Sequence, residues 1–554
     1  MSPKVTPLED PAHSREAKRL RRAVAPIGVG LVGIFTVAAW TLLETRSFAP
    51  QPALEDAAML FRYANNLSNG FGVSWNAEEA PGLTDGATDL GFVLSLAPLI
   101  FIGIPVTTAA MVMNLGSVFA LGTLLGWAGR RLWQLPWIAM ALIVVLIFSG
   151  PVNRYVSSGF SPPTFGLLLT VIAVLTLAMV TKPALSLGRW MLLGSIASLA
   201  GWWRPEGFAL GGIVLAASVA CAIPVEQKRR FAVRWNWLAL IVGFLIPALA
   251  WVAFRLIYFG HLLPSSAVLK SAGLNRSNAV ESLQVITLAL LPLLAVIAFV
   301  ALIRPTRIWV LLLAVLAASA VWMPVILHLN WWSRMQWPLV PALAVVAIAS
   351  VTQVPWSLPR VPGPVPLVSA TLVILCAIAI LRTYSVPGPV YTQYQPHTSM
   401  SAALAGVDTS MVRLATSEAG LVPLAITGTA LDTYGYNNYA IASSNGSALE
   451  YELDRLRPNM IIVNGPAPTE LAGALNDPNC ATADLTDYLG QRWLDMSHTM
   501  MDYARTHGLG LVRSTETGRC VTFSIYAATD LPVPVMDAIR SFRTESHELI
   551  DMSG

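Results

Sequence analysis

Residues 15–44 read REAKRLRRAVAPIGVGLVGIFTVAAWTLLE, and this stretch decides the fold. Five cations, Arg15, Lys18, Arg19, Arg21 and Arg22, precede an apolar run from Ala23 to Leu43. At about 1.5 Å per helical residue, such a run crosses the roughly 30 Å hydrocarbon core of a bilayer. No small-residue cleavage site follows it, so it is expected to remain as a first transmembrane helix whose basic start lies in the cytoplasm.

Composition extends that reading to most of the chain. Of 554 residues, 55% are hydrophobic and only 12% charged, and the mean hydropathy is +0.61. Those values exclude a soluble protein built on one core and imply a polytopic membrane protein. The net charge of +4 does not signal nucleic acid, because the basic residues form short clusters between apolar runs, where they set topology.

Apolar stretches recur at 24–44, 107–128, 134–150, 163–181, 189–203, 207–224, 236–257, 281–303, 307–328, 337–353 and 364–383. By length they predict about eleven transmembrane helices. Arg130/Arg131, Lys182/Arg189, Lys228/Arg229/Arg230/Arg234, Arg304/Arg307 and Arg360 then fall in alternate, cytoplasmic loops. The run from Leu90 to Ile104 is short for a span, and counting it as one would reverse every later loop, so it reads as an interfacial or re-entrant helix.

The resulting plan is a basic cytoplasmic N-terminus (1–22), a transmembrane domain (23–383) with a first extracytoplasmic loop at 45–106, and an exported domain (384–554). In the exported part, MVRLATSEAGLVPLAITG and RPNMIIVNG have the look of strands ending in turns, and SALEYELDRL has helical spacing, which predicts a small α/β domain. Cys221 and Cys376 fall in apolar spans and read as buried thiols, whereas Cys480 and Cys520 are placed to form a disulfide in an exported domain. No cysteine pair has metal-site spacing.

The non-cytoplasmic loops carry the chemistry. The first opens with EDAAMLFRYANNLSNGFGVSWN at 55–76, followed by Asp85, Thr88 and Asp89. Others read NRYVSSGFSPPTF, Arg204-Pro205-Glu206-Gly207, RLIYFGHLLPSSAVLK and HLNWWSRMQWPLVP. Charged groups at a membrane edge cost several kcal/mol unless paired or hydrated, so their convergence on one side predicts a cavity. Arg204, Arg255, Lys270 and Arg334 are candidates to neutralise a phosphate, the arginines through a planar fork and the lysine as a point charge. Glu55 or Asp56 is the candidate general base for a sugar hydroxyl. Arg62, Tyr63, Asn66, Trp75, Asn76, Asp85, Tyr258 and Trp331 are candidates to line a sugar or acceptor site.

The same residues carry a resemblance. The run at 55–76, D-G-A-T-D at 85–89, S-G-F at 158–160, R-P-E-G at 204–207, Y-F-G-H-L-L-P-S-S-A-V-L-K at 258–270 and N-W-W-S-R at 330–334 resemble, in order, the GT-C polyprenyl-phosphate-sugar glycosyltransferases. S-E-A-G-L-V-P at 417–423 and L-D-T-Y-G-Y-N at 431–437 are similar to that family's exported domain. Within the superfamily, the similarity is greatest to actinobacterial terminal arabinofuranosyltransferases. It implies a multi-pass bacterial plasma-membrane enzyme of cell wall biogenesis that uses decaprenyl-phosphate arabinose, inverts the anomeric centre and acts on a cell-envelope glycan. The chain departs from the pattern by having Glu55-Asp56 where two aspartates are usual, A-T-D-L at 87–90 and G-F-S-P-P at 159–163. A divalent metal is left open, as is a mannosyl rather than an arabinosyl donor.

Blander readings exist for each feature. Tyr258, Phe259, Trp331 and Trp332 fit an interfacial aromatic belt, Arg255 and Lys270 fit cations snorkelling to headgroups, and R-P-E-G fits a simple helix break. Isolated His261 and His328 lack a second ligand at metal spacing. A lipid-linked-sugar transporter would show broken helices and internal repeats, neither of which is evident in the sequence. A scaffold tethering the exported domain would leave the polar first loop without a role.

Overall fold

The computed structural model describes residues 11–45, 54–77, 84–133, 135–149, 152–180, 186–222, 234–271, 305–322, 334–352, 395–471, 485, 490–518, 520–543 and 549–551. Its N-terminal two thirds is helical: α1 Pro11–Thr45, α2 Glu55–Ser68, α3 Leu90–Phe101, α4 Val106–Leu132, α5 Trp137–Phe148, α6 Val152–Ser158, α7 Pro162–Val180, α8 Leu187–Trp203, α9 Gly207–Ala222, α10 Arg234–Tyr258, α11 Ser265–Ser271, α12 Pro305–Trp322 and α13 Leu339–Thr352.

Four helices among the described residues are long and apolar enough to cross a membrane: Val24–Glu44, Val106–Leu132, Pro162–Met179 and Asn236–Tyr258. The α5–α6 pair makes a fifth if its 63° bend is counted as one broken span. The expectation of eleven spans is therefore met only in part. Gly207–Cys221, Val310–Val321 and Leu339–Ala349 are apolar but shorter, and the expected spans at 281–303 and 364–383 lie outside the described residues. The protein is nonetheless a membrane protein by the length and composition of these helices.

Helix contacts in the membrane part depend on small residues, since lipid tails are as apolar as Leu and give little reason for helices to associate. Gly122 and Gly126 lie one turn apart on α4 and face α1, where a Cβ on Gly122 would sit 3.0 Å from the Gly30 Cα. At its C-terminal end α1 is tied to α6: Arg154 donates to both Glu44 carboxylate oxygens at 3.1 Å and Asn153 donates at 2.8 Å.

The stretch expected to open the first loop is a buried helix. Ala57, Ala58, Leu60, Phe61 and Ala64 are buried on α2, and their helical spacing, with Glu55 and Asp56 in the first turn, favours helix over coil. The expected short helix after it is present as α3.

The C-terminal domain is α/β. It comprises α14 Gln395–Leu404, β1 Arg413–Thr416, α15 Leu421–Ala425, β2 Thr429–Asp432, α16 Tyr439–Ser443, α17 Leu449–Leu456, β3 Met460–Pro466, α18 Gln491–Thr506, β4 Gly510–Gly518, β5 Val521–Ala527, α19 Val533–Ser541 and β6 Leu549–Asp551. The strands form one mixed sheet in the order β2-β1-β3-β5-β4-β6, parallel at β2/β1/β3 and antiparallel elsewhere. RLAT, MIIVNGP and LEYELDRL adopt the expected states. LVPLA is a short helix instead of a strand, with Pro423 tolerated because the first turn of a helix needs no internal N–H donor. Cys520 is disulfide-bonded; its expected partner, Cys480, lies outside the described residues.

Candidate active site

Between the helical part and the α/β domain lies a cavity of about 50 Å³. Asp56, Met59 and Leu60 of α2 line it, three and four residues apart and so on one helix face. Thr88 and Asp89 before α3, Phe160 to Pro162 at the α6–α7 turn, Arg204 at the end of α8, Ser266 of α11, Arg334 and Met335 before α13, and Tyr436 of the α/β domain complete the wall. Chain segments hundreds of residues apart thus meet at one point.

Its charges are paired. Arg334 donates through Nη2 to the Asp56 carboxylate, and its guanidinium lies 4.6 Å from the centroid of the Phe160 ring. Arg204, positioned where α8 gives way to an extended residue, meets Asp89 at 3.1 Å and Glu206 at 2.7 Å. The Ser161 hydroxyl donates to Asp89. Two donors and acceptors are poorly used: the Arg204 Nη2 points at the Met335 sulfur at 3.0 Å, a weak acceptor, and the Ser266 hydroxyl, 4% exposed, has no hydrogen-bond partner among the described residues. A buried hydroxyl in that condition costs about 1–3 kcal/mol, which a polar ligand in the cavity would recover.

Glu55 faces elsewhere, because successive helical residues diverge by about 100°. Its Oε2 accepts from the backbone N–H groups of Gly420 at 2.6 Å and Leu421 at 2.9 Å, and its Oε1 lies 3.5 Å from the His397 Nδ1. Burial raises the Glu55 carboxyl to about 7, against the two amide donors, with Asp56 adding to the rise. Burial also depresses His397 to about 3, so the imidazole is neutral at physiological pH. Glu55 therefore anchors the α/β domain to α2.

The other first-loop candidates serve the same junction. Arg62 donates to the backbone carbonyls of Trp75 at 2.5 Å, Pro423, Ile426 at 2.6 Å and Gly428 at 3.0 Å, and to the Asn76 side chain at 3.0 Å. Asn76 exchanges two 2.9 Å hydrogen bonds with the backbone of Ala430 in β2. Asn66 donates to the carbonyls of Ser74 and Trp75, both at 3.0 Å. The Tyr63 hydroxyl lies 3.0 Å from Asn437 and accepts from the Gly86 N–H at 2.7 Å. Trp75 is 1% exposed, and the Arg62 guanidinium lies 5.3 Å from its ring centroid.

Asp85, Arg255 and His261 form a separate buried cluster. Arg255 Nη2 donates to Asp85, His261 Nε2 lies 2.8 Å from the same oxygen, and His261 stacks on Tyr439 at 3.7 Å. The Arg255 guanidinium is spent there and does not line the cavity, since Nε also donates to the Leu262 carbonyl at 2.5 Å. The Tyr258 hydroxyl accepts from the Val73 N–H at 2.9 Å. Lys270 lies in α11, outside the described side chains, and Trp331 lies outside the described residues.

Of the candidates named from sequence, the cavity thus gathers Asp56, Arg204 and Arg334. It adds Asp89, Ser161, Ser266 and Tyr436, to which the sequence reading had given no role. Asp89 had a signal, being the second acid of DGATD; Ser266 follows Pro264-Ser265 in a polar loop; and Tyr436 lies in the L-D-T-Y-G-Y-N run at 431–437. Among the described residues, no group of three or more His, Cys, Asp and Glu side chains is arranged to hold a metal ion.

No protein-family model matches the chain, and no curated protein does. Solved structures do: the chain is similar to ArnT from Cupriavidus metallidurans in the apo state, with 12% identity, a TM-score of 0.46, and coverage of 89% of this chain and 97% of that one. It is also similar to ArnT from Cupriavidus metallidurans bound to undecaprenyl phosphate, with 12% identity, a TM-score of 0.49, and coverage of 92% and 98%. Similarity at this level assigns no activity.

Proposed function

We propose that the chain is a membrane glycosyltransferase of the GT-C type that moves arabinofuranose from a polyprenyl-phosphate donor to a hydroxyl of a cell-envelope glycan. The observation that carries this reading is a cavity in which two carboxylates, Asp56 and Asp89, are paired with two arginines, Arg334 and Arg204, at the junction of the membrane helices and the α/β domain.

A phosphodiester brings one negative charge to that cavity. Arg334 and the Nη2 side of Arg204 match its oxygens, and Ser266 supplies a further donor. When the phosphate draws Arg334 away from Asp56, the carboxylate oxygen that accepted from Arg334 is freed to accept from another donor. Donor binding thereby prepares Asp56 to take the proton of the acceptor hydroxyl. The hydroxyl oxygen bonds to the anomeric carbon from the face opposite the phosphate, the carbon–oxygen bond to phosphate breaks, and polyprenyl phosphate leaves with the electron pair, inverting the centre. Asp89 and Glu206 hold Arg204 in place throughout.

The test is to incubate purified protein with radiolabelled decaprenyl-phosphate arabinose and, separately, polyprenyl-phosphate mannose, each with an arabinan acceptor. Label from arabinose is expected in the glycan, with the opposite anomeric configuration, and Asp56→Asn is expected to abolish it. Transfer from mannose alone would replace the donor, and no transfer from either would sink the reading. The bent α5–α6 pair favours one rival, a lipid-linked-sugar transporter, which predicts donor translocation in proteoliposomes without any acceptor.

A further inference from the structure

We infer that Tyr436, Tyr434, Trp493, Glu418 and Asn464 form an acceptor subsite that holds the glycan residue next to the one being extended. The inference rests on the glycosyl-transfer reading and gives it a binding surface on the α/β domain.

Tyr436 is shared between the cavity wall and this patch. Its ring lies 5.2 Å from Tyr434, and Tyr434 lies 5.0 Å from Trp493, with tilts of 40° and 44°. All three rings are half-buried, each with apolar contacts beneath it. They form a short track leading away from Asp56. Beside the track, the Trp493 indole donates to the Asn464 carbonyl at 2.7 Å, and the Asn464 amide donates to Glu418 Oε1 at 3.3 Å. Aromatic faces interleaved with an amide and a carboxyl are what a sugar ring takes: its C–H faces pack on rings and its hydroxyls pair with fixed polar groups.

The patch is held rigid. Asp432 accepts from the backbone N–H groups of Tyr434 and Gly435, both at 3.1 Å, and of Asn437 at 2.7 Å. Gly435 has φ +100°, a conformation that side-chain-bearing residues rarely adopt. Arg492 is engaged below the rings, donating to the carbonyls of Tyr434 at 3.2 Å and Ile441 at 3.3 Å and to Asn445 at 2.8 Å. A loop ordered before binding loses little entropy when a ligand arrives. Burial, followed by the nearby Glu55, raises Glu418 well above the usual carboxylate range, so it presents an O–H donor as well as an acceptor. The Tyr436 phenol, also pushed up by burial, has no hydrogen-bond partner among the described residues and keeps its proton for a ligand oxygen.

The experiment measures binding of linear α-1,5-arabinotriose to the full-length protein by saturation-transfer NMR without donor, in an Asp56→Asn background where turnover is blocked. Binding is expected there, with loss of about tenfold in affinity on adding Tyr434→Leu, which keeps apolar bulk, or Glu418→Gln, which keeps an acceptor for Asn464. In the Asp56-intact protein the same two changes should raise the acceptor KM while leaving the donor KM unmoved. Equal binding with and without the two changes, or no binding by the Asp56→Asn protein, overturns the subsite. If arabinotriose binds as described but wild-type protein transfers no sugar, the subsite stands and the transfer reading falls.

Discussion

Asp56→Asn and Glu55→Gln should separate two adjacent acids by function. Asp56 lines the cavity and pairs with Arg334, with 38% of its side chain exposed. Loss of that pair, discounted for exposure, costs about 1 kcal/mol of stability or less, and Arg334 keeps its 4.6 Å contact with Phe160. Loss of a general base removes about 10²–10⁴ in rate, roughly 3–5 kcal/mol of barrier. Glu55→Gln keeps an oxygen to accept from Gly420 and Leu421, and with the carboxyl raised to about 7 the neutral amide resembles a form already well populated at neutral pH. Initial rates with saturating donor, set beside unfolding midpoints in the same detergent, decide the matter. Asp56→Asn is expected to lose at least about 100-fold with a nearly unchanged midpoint, and Glu55→Gln to retain most of its rate. The reverse pattern refutes the assignment of Asp56 as base, and full activity in both refutes the mechanism.

Further outcomes follow from the same geometry. Glu55 binds more protons folded than unfolded between its ordinary 4.5 and about 7, so its contribution is complete below about 4.5 and is lost as pH rises through about 7, by roughly 3 kcal/mol. His397 slopes the opposite way and Asp432 and Glu418 the same way, so the quantity to measure is the wild-type minus Glu55→Gln midpoint at pH 5 and pH 8, which should fall. Arg62→Ala strands three carbonyls of residues 423–428 and should destabilise by about 3–5 kcal/mol, read as early protease cleavage of the α/β domain. Gly420→Ala places a Cβ against the Glu55 backbone and carboxylate and should loosen the same junction without touching the cavity. Arg334→Lys keeps the charge but loses the fork; donor KM should rise at least about tenfold while acceptor KM holds.

Long uninterrupted apolar helices were legible in the sequence: α4 and α7 begin and end within a few residues of their apolar runs because Pro105, Pro162 and the Arg130/Arg131 pair punctuate them. The α/β class was legible from RLAT and MIIVNGP for the same local reason. The site was legible only in part. Glu55 and Asp56 are equivalent in composition, and only the helical turn between them sends one to the cavity and the other to Gly420. Arg62, Asn76 and Tyr63 have the residue types of a sugar site, yet their partners lie 354 to 374 positions along the chain, a distance over which no periodicity carries information. Arg255 was misplaced because a cation beside a loop looks alike whether it awaits a phosphate or already holds Asp85.

The clamp made by Arg62 sets an order on biogenesis. The guanidinium emerges from the ribosome some 360 residues before Pro423, Ile426 and Gly428, so α2 must wait, half-finished, through the synthesis of every later helix of the helical part. Proteins truncated before β2 should accordingly be recognised as unfolded by quality-control proteases, however well their membrane helices have assembled.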